Sequence, residues 1–526
     1  MSLVSLFTIN PGSHRIARFC VIRGFGLIYL VAILSWWVQA PLLVGEAGLT
    51  PFSQTLSYLE GYAAEENGPG AWSLLPNIFL LLGTGDAVLH IICAIGCLLA
   101  VVVILGRVTA PALILLWAIY LSLVNTGGVF MSFQWDILVL EAGVIAPFLA
   151  RWSWRDDWRC PAPLGLVAKI ALLFVWLLIA KLMFFSGWTK LAFASPEQGE
   201  WWPERTAMTF HYFTQPLPTW TAYWAHHLPD GFHRFSIWPM FLIELIFPFL
   251  ILFGRWGRFV AAIGFVTLML LILATGNYTY FNWLTIILSL SLIDDRCWPG
   301  RLRRWLGQTE KTSTPNRNRV ALTWCWARRL AAASFALLLL ILNFHRIGSD
   351  LHRAPRPVFT QSPNPESLDR LAANLSPWHL VAGYGLFRTM TTTRPELIFE
   401  GSTDGIRWSE YDFRWKVDRL KARPRFVAPH QPRLAWQCWF AALEGVYSPR
   451  SSNGRWISGL VEALLRGDET VKSLLEHDPF PEDPPRFIRI RLFEYTFTNP
   501  SEKERTGRWW RREVKRTFLP GVSIRR

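Results

Sequence analysis

The chain has 526 residues, of which 52% are hydrophobic and 29 are tryptophan. This composition is too apolar for an ordinary soluble protein and indicates a membrane protein with a polar part attached. The net charge of +15 suits the cytoplasmic loops of a membrane protein, and because the arginines of the C-terminal part are dispersed, we expect no binding to nucleic acid.

Nine apolar runs predict membrane-spanning helices. A helix needs about 20 apolar residues to cross a hydrocarbon core of about 30 Å. No small-x-small motif closes the first run before Gln39, so we expect it to remain as a helix and not to be cleaved as a signal peptide. The predicted spans cover residues 19–38, 86–105, 109–124, 133–150, 166–185, 236–253, 257–275, 278–293 and 328–344.

Basic residues alternate with the predicted spans. Arg15 precedes the first span, Arg107 follows the second, Arg151 follows the fourth and Arg255 follows the sixth. Because cytoplasmic loops are enriched in Lys and Arg, this pattern predicts a multi-pass protein with a cytoplasmic N-terminus. Nine crossings then place the C-terminal part outside, in the periplasm if the membrane is a bacterial inner membrane, or in the lumen if it is the endoplasmic reticulum.

The C-terminal part is predicted to be a separate domain. The stretch PELIFEGSTDGIRWSEYDF resembles two strands around an Asp-Gly turn, and PRFIRIRLFEYTFT alternates as a half-buried strand does. We therefore predict a polytopic α-helical membrane protein of about nine spans, with a bundle over residues 1–344, a Pro-rich linker over 345–365 and an extramembrane β-rich domain over 366–526.

Four ionisable residues fall inside the predicted spans, in the outer half of the bilayer. At a rise of about 1.5 Å per residue, Asp136 and Lys181 lie roughly 5–6 Å deep, and Glu141 and Glu244 roughly 12 Å deep. Charges at such depth are usually paired inside a bundle or face a wet cavity. We therefore predict an intramembrane polar cluster, which is either a structural salt-bridge network or a site that opens outward.

Depth alone suggests partners for these acids. It pairs Asp136 with Lys181, and it pairs Glu141 with Lys181 or with a polar group near Glu244. Breaking one member of a buried pair leaves an uncompensated charge, so the pairing can be tested by single and double substitutions.

Two further stretches carry candidate site residues. In FFSGWTKL, Lys190 follows the fifth span and is either a lysine that reaches the headgroups or a desolvated base. The aromatic stretch HYFTQPLPTWTAYWAHHLP predicts an interfacial external loop that contains His211, Gln215, His226 and His227. No carboxylate or cysteine completes a metal set with these histidines, so we predict no metal site.

Common catalytic signatures are missing from the sequence. It has no P-loop, no GxGxxG motif on a strand–helix unit, no HExxH and no GxSxG. We therefore expect no cofactor. The stretch NYTYFN, at residues 277–282, is interpreted as a turn with polar caps.

Five stretches together resemble the lipase maturation factor family. They are SFQWDILVLEAG, FFSGWTKL, HYFTQPLPTWTAYWAHHLP, TGNYTYFNWLTIILSLSLIDD and PRLAWQCWFAAL. The resemblance implies a polytopic membrane protein, in animals of the endoplasmic reticulum, whose lumenal C-terminal domain helps dimeric lipases to fold. It thus implies a chaperone-like maturation factor, with a secreted lipase-like client and the lipid bilayer as partners. The chain end carries no obvious retention signal, and its Arg bias suggests a bacterial homologue.

The membrane part is also distantly similar to the superfamily of the vitamin K-dependent γ-carboxylase. In that superfamily a Gly-x-x-Lys-Leu stretch after a membrane span supplies the catalytic lysine, and GWTKL places Lys190 at that position. The alternative function is therefore a membrane enzyme that uses Lys190 as its base. Such an enzyme would need Lys190 to line a large apolar cavity, whereas a binding factor would depend mainly on the C-terminal domain.

Overall fold

The structure is a computed structural model in which a helical bundle is followed by a β-containing C-terminal domain. It describes residues 13–65, 70–156, 164–193, 198–306, 319–355, 358 and 362–524. The helices of the N-terminal part are α1 (Arg15–Trp37), α2 (Ala40–Val44), α3 (Phe52–Glu65), α4 (Ala71–Leu74), α5 (Phe79–Leu82), α6 (Asp86–Leu105), α7 (Thr109–Gly127), α8 (Gln134–Leu149), α9 (Leu166–Ala192), α10 (Ala207–Thr214), α11 (Trp220–His226), α12 (Asp230–Phe241), α13 (Phe247–Leu250), α14 (Gly254–Thr275), α15 (Phe281–Leu290), α16 (Gly300–Leu306) and α17 (Arg319–His352).

Seven helical segments in the described part of the chain are long and apolar enough to cross a membrane. They are Arg15–Trp37, Asp86–Leu105, Thr109–Met131, Leu166–Ala192, Asp230–Leu250, Gly254–Thr275 and Arg329–His352. This confirms a polytopic helical membrane protein, and each segment overlaps one of the predicted spans.

The remaining two predicted spans, the fourth and the eighth, are helical but short. Helix α8 has 16 residues and α15 has 10, which correspond to about 24 Å and 15 Å of helix. Both lie inside the bundle, since most of their side chains are buried. Helices that are surrounded by other helices need not match the thickness of the hydrocarbon core by themselves.

The start of α1, the end of α6 and the segments after α8 and α15 meet at one end of the bundle, which we call the basic end. Arg23 donates hydrogen bonds to the carbonyl oxygens of Val103, at 2.5 Å, and Asp156, at 3.0 Å. The Asp295 carboxylate accepts the backbone N–H of Arg15 at 3.0 Å. These contacts bring basic segments from the first half of the chain together at one end of the bundle.

The C-terminal domain adds a sheet and several helices. Its helices are α18 (Glu366–Leu375), α19 (Arg433–Glu444), α20 (Gly454–Arg466), α21 (Glu469–Lys472) and α22 (Pro500–Thr506), and its strands are β1 (Pro395–Ser402), β2 (Ser409–Glu410), β3 (Asp412–Phe413), β4 (Leu475–His477), β5 (Phe487–Phe497) and β6 (Trp510–Val522). The larger sheet is antiparallel with the order β2-β1-β5-β6, and β3 pairs with β4. The prediction of a β-rich domain that contains some helix is confirmed.

The sheet follows the predicted alternation. Along β5 every second residue from Ile488 to Leu492 is buried, and Leu397 of β1 faces Leu492 across the ladder. Period-2 burial of this kind leaves one face of a strand for the core. Helix α20 supplies Trp456, which is fully buried against this part of the core.

The predicted linker at 345–365 is partly helical. Helix α17 continues to His352, beyond the end of the predicted span at residue 344, because no proline follows the apolar run before Pro355. Residues 356, 357 and 359–361 of this linker lie outside the described part of the chain, as do residues 307–318 of the basic loop before α17 and Arg159 after α8.

Candidate functional site

Asp136 lies in the first turn of α8 and is fully buried at the junction of the bundle and the C-terminal domain. Arg433, the first residue of α19, binds it with both terminal nitrogens, Nη1 to Oδ2 at 2.7 Å and Nη2 to Oδ1 at 2.8 Å. The hydroxyls of Tyr120 and Tyr280 donate to Oδ1 at 2.7 and 2.5 Å. Arg433 also donates to the carbonyl oxygen of Phe130 at 2.6 Å, so both terminal nitrogens of Arg433 and both oxygens of Asp136 are hydrogen-bonded.

The sequence-based pairing of Asp136 with Lys181 is therefore wrong. Both residues were placed at the same depth, but depth says nothing about which way each side chain points around its helix. The true partner comes from a helix 297 residues further along the chain, and its forked guanidinium matches the carboxylate better than an ammonium does.

Glu141, one and a half turns further into α8, forms a second buried pair. Lys181 of α9 donates to its Oε1 and, at 2.8 Å, to Oδ1 of Asn343 in α17. On the other carboxylate oxygen, Glu141 accepts the Tyr384 hydroxyl at 2.7 Å and the Ala382 backbone N–H at 2.9 Å. The option of a Glu141–Lys181 pair is confirmed, and the segment that follows α18 adds two donors to it.

Glu244 belongs to a third pair, with Lys190. The Lys190 ammonium lies 2.7 Å from both carboxylate oxygens of Glu244. Glu244 stands in a π-helical turn between α12 and α13, Leu242–Ile246, because Pro248 has no N–H for the Glu244 carbonyl, the acceptor four residues before it. Gly187 lets this turn approach α9, since a Cβ there would lie 3.0 Å from the Glu244 Cβ.

The predicted polar cluster is thus divided among three ion pairs, Asp136–Arg433, Glu141–Lys181 and Lys190–Glu244. Lys190 is buried and does not reach the headgroups. Its Nζ is instead held by both carboxylate oxygens of Glu244.

A cavity of about 340 Å³ lies beside the third pair. Lys190, Glu244 and His211 line it together with mainly apolar side chains, among them Met183 and Phe387. Burial, assisted by the nearby Lys190 charge, lowers the pKa of His211 to about 4, so its imidazole is neutral at pH 7. The cavity is therefore apolar and offers little net charge.

The segment of residues 211–229 contacts the C-terminal domain through its backbone. The Arg394 guanidinium, at the start of β1, binds the carbonyl oxygens of Phe213 at 2.8 Å, Pro216 at 2.9 Å and Gln215. The Gln215 side chain donates to the Thr275 carbonyl at 2.7 Å and so ties the segment to α14. Gln215 therefore has a structural role in this segment.

The two neighbouring histidines also lie in this region. His227 contacts the Tyr223 carbonyl through Nδ1 at 2.7 Å, and the His226 ring packs edge-on against Phe213. Burial lowers the pKa of His226 to about 4. Among the described residues no group of three His, Cys, Asp or Glu could hold a metal ion.

Asn277 is a contact residue that the sequence analysis missed. It belongs to the stretch interpreted as a simple turn, yet it accepts the backbone N–H groups of Val427 and Ala428 at 2.6 and 3.0 Å and donates to the Arg425 carbonyl at 2.8 Å. The only signal in the sequence was its place in a polar stretch between two apolar runs. No local pattern indicates a partner about 150 residues away.

The bundle and the C-terminal domain are therefore joined by buried charged and amide groups contributed by both. The chain is an integral, multi-pass membrane protein with a C-terminal domain seated on the end of its bundle opposite the basic end. Two family models match it, the lipase maturation factor transmembrane domain over residues 16–300 and the lipase maturation factor C-terminal domain over residues 380–520. The chain belongs to the lipase maturation factor family.

Relatives match along nearly the whole chain. Lipase maturation factor 2 of Rattus norvegicus is 33% identical over 97% of this chain and 84% of its own length, and the Homo sapiens protein is 31% identical over 97% and 83%. Lipase maturation factor 1 of Homo sapiens is 28% identical over 98% and 89%. No solved structure matches the chain. These matches give no support to the alternative of a carboxylase-like enzyme.

Proposed function

We propose that this chain is a membrane-bound maturation factor that assists the folding or assembly of secreted lipases through its C-terminal domain. The observation that carries the proposal is the match of both family models, of which one covers the C-terminal domain itself. The names of the relatives point to lipases as the clients.

Strand β6 supplies the surface on which we propose that a client binds. It is 13 residues long and lies at the edge of the sheet, and its side chains from residue 511 to 517 are mostly exposed. An edge strand can pair with an extended segment of another chain. Such pairing would hold an extended segment of a client until that segment pairs within the client's own fold.

We also propose the orientation in the membrane, with the basic end in the cytoplasm and the C-terminal domain outside. The contacts of Arg23 and Asp295 at the basic end support this orientation, because cytoplasmic loops are rich in Arg and Lys. The membrane is that of the endoplasmic reticulum if the source is eukaryotic, as the relatives are, and the inner membrane if it is bacterial. A reporter that is active only outside should be active after Arg526 and inactive at Gln308, and the reverse result would contradict the orientation.

The function is tested by co-expression with secreted lipases in cells that lack their own maturation factors. The full chain should raise the lipase activity per mole of secreted protein, and Val514→Lys in β6 should reduce this gain because it removes the exposed apolar side chain from the middle of this charged edge. Ile406→Lys is the matched control, because Ile406 is also an exposed apolar residue. The exposed fraction is 82% for Ile406 and 53% for Val514, but Ile406 lies in a turn and not in β6. If no lipase in a broad panel responds to the unaltered chain, the function is wrong, and if both variants behave alike, β6 is not the client surface.

A further inference from the structure

The cavity beside Lys190 has exposed apolar side chains at its rim. Phe232 and Leu271 both line it, and they are 48% and 60% exposed on the outside of the bundle. They lie in the membrane-spanning segments Asp230–Leu250 and Gly254–Thr275, so the gap between these segments faces the bilayer. A molecule that enters by this route comes from the membrane.

The interior of the cavity is suited to an apolar chain. Leu182, Met240 and Leu268 are typical of its wall, and its volume of about 340 Å³ falls in the range of roughly 300–1,000 Å³ that is usual for ligand sites. Burying apolar ligand surface against such a wall is favourable. An acyl chain therefore fits the cavity better than a polar molecule does.

The charges at the cavity wall cancel. Lys190 and Glu244 face each other at 2.7 Å on both carboxylate oxygens, and His211 is neutral at pH 7 because burial lowers its pKa to about 4. A charged headgroup would have to be desolvated without gaining a free counter-charge, which is costly. This argues against a fatty acid or a phospholipid headgroup as the group held inside.

Two residues that line the cavity each have a buried polar atom without a hydrogen-bond partner in the described part of the chain. The atoms are Oδ1 of Asn282, whose residue is fully buried, and Nδ1 of His211. The Asn282 amide nitrogen is already used by the Met269 carbonyl at 3.0 Å, which leaves its oxygen as an acceptor. Buried polar atoms are normally satisfied, and hydroxyl groups, which can both donate and accept, suit this pair.

We propose that the cavity binds an uncharged single-chain lipid with hydroxyl groups, of the monoacylglycerol class. Its acyl chain lies along the apolar wall, one hydroxyl donates to Asn282 Oδ1, and another forms a hydrogen bond with His211 Nδ1. The lipid enters between the two spanning segments that carry Phe232 and Leu271. This site is independent of client binding and goes beyond the proposed function.

The test is photo-crosslinking of the full chain in membranes with a diazirine-tagged monoacylglycerol. Ala225→Phe places a ring at the cavity wall and should lower labelling about tenfold, the equivalent of ~1.4 kcal/mol in affinity. Ala333→Phe is the matched control, since Ala333 is exposed on α17 and should leave labelling unchanged. Labelled peptides should come from α9, α10 and α14, and equal labelling of Ala225→Phe and the unaltered chain would overturn the site.

The class of the lipid is tested separately with probes that share one acyl chain. The monoacylglycerol probe should label more strongly than the corresponding fatty acid and phosphatidylcholine probes. Asn282→Leu and His211→Phe should each reduce this preference about fivefold, because each removes one hydrogen bond of about 1 kcal/mol. Equal labelling by the fatty acid probe would overturn the choice of an uncharged headgroup, and thermal melting of each variant checks that it is folded.

Discussion

At the residue scale, the ion pairs specify how the parts of the protein fit together. A buried ion pair adds little net stability over apolar residues of similar shape, because desolvation offsets most of the attraction. Losing one partner is a different matter, since it leaves a buried charge. Arg433 and Asp136, which are both fully buried, therefore penalise any other seating of the C-terminal domain on the bundle.

The first prediction concerns this pair. Asp136→Asn or Arg433→Met alone should lower the stability of the full chain in detergent by about 3–5 kcal/mol, and the double change should recover part of that loss. Thermal melting of the four proteins gives the coupling between the two residues. Lys181→Met is the control, because Lys181 contacts Glu141 and should not rescue Asp136→Asn. Additive effects for Asp136 and Arg433 would contradict the contact.

The second prediction concerns pH and His430. Its Nδ1 lies 3.0 Å from the Ser35 hydroxyl of α1, and burial, together with the Arg433 charge, lowers its pKa to about 4. The unfolded imidazole, with a pKa of about 6.5, binds a proton first, so this contribution to stability is complete above pH 6.5 and is lost as the pH falls toward 4.

Melting temperatures measured between pH 7.5 and 4 should therefore fall less steeply for His430→Gln than for the unaltered chain. His227→Gln is the control, because it changes a histidine outside this contact. A profile for His430→Gln that runs parallel to that of the unaltered chain would show that His430 does not couple protonation to folding.

At the element scale, glycines set how closely the membrane helices approach. A Cβ on Gly26 of α1 would lie 2.8 Å from the Ile104 side chain and 3.1 Å from the Ala100 carbonyl oxygen of α6. Small residues at helix contacts allow the close approach on which packing in membranes depends. Helices α1 and α6 are held together at this point.

The third prediction follows from that contact. Gly26→Val should destabilise the full chain by about 1–3 kcal/mol, the usual cost of overpacking, because the backbone of α6 cannot move aside as a side chain can. Leu27→Val is the matched control, since Leu27 is 52% exposed and should change stability little. Similar melting temperatures for both variants would mean that α1 and α6 separate easily.

Local patterns predict the elements well. Apolar length predicted nine spans, of which seven correspond to described segments long and apolar enough to cross a membrane, and period-2 alternation predicted β5. Two details were beyond such patterns. The shortness of α15 depends on its being surrounded by other helices, and the π-helical turn around Glu244 depends on Pro248 together with the space above Gly187.

At the scale of the whole molecule, the sequence identified charged residues at depth but not all of their partners. The spacing of residues in the sequence cannot predict a contact such as the one between Asp136 and Arg433. This contact joins the helical bundle to the C-terminal domain. Asn277 was missed for the same reason. The candidate site was therefore predictable as a set of unusual acids and lysines, and its division into three pairs was not.

Some buried side chains of the C-terminal domain lie in its sheet, and others pack against the bundle. Leu397 and Ile488 are buried in the sheet of the domain. Trp436 of α19 instead packs edge-on against Trp135 of α8, with ring centroids 4.8 Å apart. Separation of the domain should keep the first group buried and expose the second.

The last prediction is that residues 363–526 fold when expressed alone. A domain with its own core should melt cooperatively, which circular dichroism can measure. Trp436→Ser should make the isolated domain more soluble, because it removes an exposed ring, and should lower the melting temperature of the full chain, because it leaves a cavity beside Trp135. Val446→Ser, at a residue that is 51% exposed, should change neither. An isolated domain that aggregates or melts without cooperativity would mean that the bundle is required for it to fold.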